Sequence, residues 1–101
     1  MPYKFKEEKV RQHIARHYPS CPDERAEEII RRVVSREWAA ASLHDAIFAM
    51  AESHIRHNLT SYDQDLNVGG MDREAARAKV APAVRYLIKA WRKKDGASSK
   101  G

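Results

Sequence analysis

The sequence predicts an all-α fold, a small single domain of about four helices packed orthogonally or as a bundle. Three observations carry this expectation. Apolar residues recur at spacings of three and four along nearly the whole chain, and no stretch alternates with period two over a strand's length. Breakers fall between the periodic segments, in "YPSCPD" and "TSYDQDLNVGG". At 101 residues, the chain supports one modest core and not two.

The first helix is expected from about Phe5 to Tyr18, with Val10, Ile14 and Tyr18 on one face. Pro19 and Pro22 then break it, because proline lacks the backbone donor and restricts the residue before it. The second helix starts near Pro22 or Asp23, with acids in its first turn where the macrodipole favours them. Its stripe is Ala26, Ile29, Ile30, Val33 and Val34, with Trp38 one turn further. Ser42 caps the third helix, which continues to about Asn58. A long loop follows, and Asp72 caps a fourth helix with Ala76, Val80, Ala83, Val84, Leu87, Ile88 and Trp91 on its stripe. Pro82 should kink or split that helix near Ala81. Trp38, Phe48, Leu87 and Trp91 are expected in the core. The domain is placed at residues 1–94 and a flexible basic tail at 95–101.

Composition excludes some classes. The apolar run Ala39–Ala51 is too short to cross a bilayer and is interrupted by His44 and Asp45. The opening "MPYKFKEEKV" has no apolar h-region, so a signal peptide is not expected and a cytoplasmic location is. The single cysteine, Cys21, forms no intramolecular disulfide and reads as a packing position. Nineteen Lys and Arg against fourteen Asp and Glu give a net charge of +5, concentrated toward both ends. Basic ends suit polyanions through release of phosphate counterions, and they also serve solubility.

The stretch "SHIRHNLTSYD" concentrates the candidate site residues. On the third helix His54 projects near the middle of the apolar face, His57 lies at its edge and Arg56 points the opposite way. A core histidine held by a carbonyl or a carboxylate is the plain expectation for His54. The i, i+3 pair His54 and His57 can reach one ion from one helix face, but zinc needs further ligands, which Asp63 or the i, i+4 pair His13 and His17 supply only if the fold brings them together. "DQDLNVGGMDRE" follows most of the EF-hand spacing, but Val68 stands where the sharp turn calls for glycine. Neither pattern is read as a metal site, and no cofactor is expected.

"RHNLTSYDQDL", "MDREAAR" and the closing "AW" resemble a domain-of-unknown-function family of bacterial and fungal proteins. Its pattern is Arg-His-x-x-Thr-x-Tyr-Asp, then Arg-Glu-Ala-x-Arg and a final Trp. The resemblance covers about residues 18 to 92 and places Arg56, His57, Thr60, Tyr62, Asp63, Arg73, Ala76, Arg77 and Trp91 at motif positions. Asp65 stands where an apolar residue is expected. The family carries no activity to transfer.

Three functional readings follow. The first is a binding module for DNA or RNA, using basic helices and termini, with Arg56, Arg73 and Arg77 as phosphate contacts. The second is a small hydrolase or phosphate-handling enzyme centred on His57, Asp63 and Tyr62, with Arg56 holding an anion. The third is a protein-interaction domain. Independently, "RHNLTSYD" reads as a structural clasp, in which Thr60, Tyr62 and Asp63 join His57 and one of Arg73 or Arg77.

Overall fold

A computed structural model describes residues 1–94, which fold into five helices: α1 (Glu7–His17), α2 (Asp23–Ser35), α3 (Leu43–Asn58), α4 (Tyr62–Asn67) and α5 (Arg73–Arg92). The expected tail, 95–101, lies outside the described residues. Helix α3 is central and packs against all four others, and α5 also packs on α4. Among the described residues, no helix is long and apolar enough to cross a membrane.

The core is built from the expected stripes, except that Ala83 of the last helix is exposed. Val10 and Ile14 of α1 meet Ile29, Ile30 and Val33 of α2 and Ala46, Ile47, Ala51 and Ile55 of α3. Ala76, Val80, Val84, Ile88 and Trp91 close the far side from α5. Each Ile or Val so enclosed contributes roughly 1.5–3 kcal/mol relative to exposure. Phe48 and Leu87 are only partly buried, so of the four large core residues expected it is the two tryptophans that lie inside.

The caps match the chemistry of their residues. Ser42 accepts from the Asp45 amide at 3.1 Å, and Asp72 accepts from the Ala75 amide at 2.8 Å. Helix α1 starts two residues later than expected. Tyr3 instead makes an antiparallel bridge with Trp38, through backbone bonds of 2.8 and 2.7 Å. Phe5 packs edge-on to Tyr3, so apolar side chains hold the N-terminal segment extended against the α2–α3 link. Trp38 lies in that link beyond the end of α2, and its indole N–H donates to Val33 O at 3.1 Å.

Two expectations about the C-terminal half change. Pro82 does not divide α5, which runs unbroken past it. Pro82 and Ala78, the residue four before it, both lie on the exposed face, where an unbonded carbonyl meets water. The presumed long loop contains α4, a helix of six residues. Gly70, at φ +68°, then reverses the chain into α5. Gly69 sits so close to the end of α4 that an added Cβ would stand 2.9 Å from Asp65 O. The EF-hand spacing is therefore taken up by a short helix and its termination, not by a ligand loop.

Candidate functional site

The motif segment forms the bend between α3 and α4. Thr60 Oγ1 donates to Arg56 O at 2.5 Å and accepts from the Tyr62 amide at 3.2 Å, ending one helix and starting the next. Tyr62 is buried, with His57 edge-on to its ring at 5.2 Å and the Arg56 guanidinium 5.6 Å from the ring centre. His57 Nδ1 lies 2.6 Å from Asp63 Oδ1. Four of the six candidate residues thus touch in one network. The expected Arg73 or Arg77 partner for Asp63 does not form. The Arg73 side chain makes no hydrogen bond or ion pair among the described residues. The tie between α4 and α5 is instead Lys79, which donates to Asp65 Oδ1 at 3.0 Å while Ser61 donates to Oδ2 at 2.9 Å. The Lys79 hydrogen bond, and then that of Ser61, hold the Asp65 carboxyl below its usual range.

His54 is buried, as its position on the face of α3 suggested, but its partners differ from those expected. Arg25 from α2 brings Nη1 to 3.4 Å from His54 Nε2. The Asn58 amide approaches Nδ1 at 3.4 Å and donates to His54 O at 3.0 Å. Burial, followed by the Arg25 charge, lowers the His54 pKa, so the ring favours its neutral form.

Arg56 does not point away from the protein. Because α3 is packed on several sides, its second face meets α5 across a groove. Arg56, Arg77 and Arg85 line a cavity of about 200 Å³ together with Glu52. It adjoins a larger one of about 530 Å³, which shares Glu52 and Arg85 and adds Phe48, Pro82, Tyr86, Ile88, Lys89 and Arg92. Five cations therefore line the two cavities with one carboxylate. Among the described residues, Arg77, Arg85 and Lys89 have no carboxylate partner. On the opposite side the charges neutralise one another: Arg11 bridges Glu7 and Glu27, and Glu28 holds Arg31 and Arg32. The net positive charge is thus left mainly on α5, with six basic residues against Glu74. Arg85, Lys89 and Tyr86 were not singled out from the sequence. The signal available there was their position off the apolar stripe of a helix with almost no acids.

A third histidine, His44, joins the pair on α1. Ring centres of His13 and His17 lie 4.3 Å apart, and those of His13 and His44 lie 5.7 Å apart. Burial is the main cause lowering the His13 pKa, and the neighbouring His17, His44 and Arg92 add to it. Among the described residues, no group of three or more His, Cys, Asp or Glu is arranged to hold a metal ion. Burial pushes the Cys21 thiol up to about 12, so it stays protonated at neutral pH.

Fold and groove together define a small all-α domain with a cationic cleft between its central and last helices. The chain belongs to the DUF2293 family, described as uncharacterized conserved proteins, whose model matches residues 13–92. No curated protein and no solved structure matches it.

Proposed function

We propose that the domain binds nucleic acid, weakly and with tolerance of sequence, through the groove between α3 and α5. The observation that carries the reading is the charge imbalance in the cleft, where Arg56, Arg77, Arg85, Lys89 and Arg92 face a single Glu52. Unpaired guanidinium groups bind phosphate with two parallel hydrogen bonds and release its counterions. With a handful of such contacts, the dissociation constant at physiological salt is on the order of 10⁻⁴ to 10⁻⁶ M and rises steeply with ionic strength. The connection between α3 and α5, which contains α4, is too long for a tight helix-turn-helix, so base-specific reading in a major groove is not part of the proposal. Such a protein would work in the cytoplasm.

Titration of a labelled oligonucleotide by fluorescence anisotropy at low salt tests the proposal. The double variant Arg77→Gln/Arg85→Gln should weaken binding and flatten its salt dependence. Equal binding by parent and variant would remove the groove from the reading. No binding by either would point to a protein partner.

The 2.6 Å contact between His57 and Asp63 favours a second reading, a small hydrolase. The contact leaves Nε2 free to act as a base, and Ser53 lies one turn earlier in the same cavity of about 290 Å³. That cavity offers little enclosure, since His57 and Asn58 in its lining are both exposed. Loss of an ester- or phosphate-hydrolysing activity in His57→Ala would support this reading over binding.

A further inference from the structure

We infer that the groove takes single-stranded rather than double-helical nucleic acid, with a base stacked on Tyr86; this rests on the nucleic-acid reading above. Tyr86 lies in the second half of α5 and is 72% exposed, although a ring of that size normally finds a neighbour. Among the described residues it makes no ring–ring or cation contact, so its faces are open. Arg85 precedes it and Lys89 follows one turn later, both lining the same cavity. Phe48, Pro82 and Ile88 complete an apolar lining.

Apolar walls and an open ring have no use for a duplex, which presents phosphates and sugars outward and keeps the faces of its bases stacked. A single strand can splay a base onto an aromatic side chain while cations on either side hold its phosphates. The cavity of about 530 Å³ falls within the ordinary range for small-ligand sites, which suits a base with its sugar. Glu52 fits the same picture. A carboxylate repels phosphate, but it accepts hydrogen bonds from the exocyclic amino groups of bases. Among the described residues its carboxylate has no hydrogen bond or ion pair.

Three probes separate this inference from the reading beneath it: a mixed-sequence single strand, the same strand in a duplex, and an abasic chain of equal length. The 101-residue chain should bind the single strand more tightly than the other two. Tyr86→Leu should weaken single-strand binding roughly 5- to 150-fold, as expected for loss of one stacked base, with little change for the duplex. Tyr86→Phe should restore it, because the ring and not the hydroxyl does the stacking. Equal binding of all three probes, or an unchanged affinity in Tyr86→Leu, would overturn the inference and leave the broader reading standing if Arg77→Gln/Arg85→Gln still weakens binding. If no probe binds, both fall.

Discussion

His57 and Asp63 meet at 2.6 Å across the bend between α3 and α4, yet their side chains remain 46% and 51% exposed. Thr60, Tyr62, His57 and Asp63 of the expected clasp come together, but neither Arg73 nor Arg77 joins them. The anchor is the buried ring of Tyr62, with the Thr60 hydroxyl joining the two helix ends. The His57–Asp63 pair lies in water at the rim.

Stability should follow that arrangement. Asp63→Ala and His57→Ala are each expected to cost less than about 1 kcal/mol, as exposed pairs do. Tyr62→Ala removes a buried ring and should cost about 3–5 kcal/mol, by analogy with other large aromatic truncations. Denaturant midpoints of the three variants decide the matter. A loss for Asp63→Ala matching that for Tyr62→Ala would show that the His57–Asp63 contact holds the bend.

The turn out of α4 depends on two adjacent glycines for different reasons. Gly70→Ala must hold a side chain at φ +68°, which costs about 1–2 kcal/mol. Gly69→Ala brings a Cβ within 2.9 Å of Asp65 O, so the backbone there has to shift. Gly70→Asn should be tolerated better than Gly70→Ala, because asparagine enters the left-handed region more readily. Thermal melts of these variants check the order.

Acidification should destabilise the domain through His13 and His54. Both have folded pKa values below the ordinary 6.5, so below that pH the unfolded chain takes up protons before the native one does. Stability is therefore full above 6.5 and declines as pH falls toward the folded values. Unfolding midpoints measured from neutral to mildly acidic pH should drop, and the double variant His13→Gln/His54→Gln should show a flatter profile. An equally steep decline in that variant would assign the acid sensitivity to other groups.

Pro82 sits on the exposed face of the unbroken helix α5 and lines the larger cavity. Proline in a helix interior is about 3 kcal/mol less favourable than alanine, so Pro82→Ala should raise the melting temperature. If the ring helps shape the groove, the same substitution weakens single-strand binding. A lower melting temperature would mean that Pro82 already fits its place in α5.

Much of the architecture was legible in the residues because it depends on neighbours three or four positions away. Val10 and Ile14, the Ile29–Ile30–Val33 stripe, and the Ser42 and Asp72 caps follow from local spacing and local hydrogen bonding. Helix α4 was hidden for the same reason. Six polar-rich residues are too few to form a helix by propensity, and this one exists because Tyr62 is buried and Lys79 reaches Asp65. The clasp was partly legible, since His57, Thr60, Tyr62 and Asp63 lie within one turn and a bend of each other. Its basic partner was not, because the choice among Arg73, Arg77 and Lys79 depends on the rotation of α5 against α4.

By itself, the sequence determined an all-helical chain with a basic last helix and a polar knot after Asn58. Only the tertiary structure decided that Arg11 of α1 would reach Glu27 of α2, that Lys79 of α5 would take Asp65, and that Arg77, Arg85 and Lys89 would be left without a carboxylate among the described residues. It also brought His44 to His13, and Arg56 into one cleft with Arg77 and Arg85. The physical reason is that a helix fixes the direction of its side chains relative to its own axis. Which faces come together depends on how α3 packs against four neighbours at once, and that information is spread over the whole core.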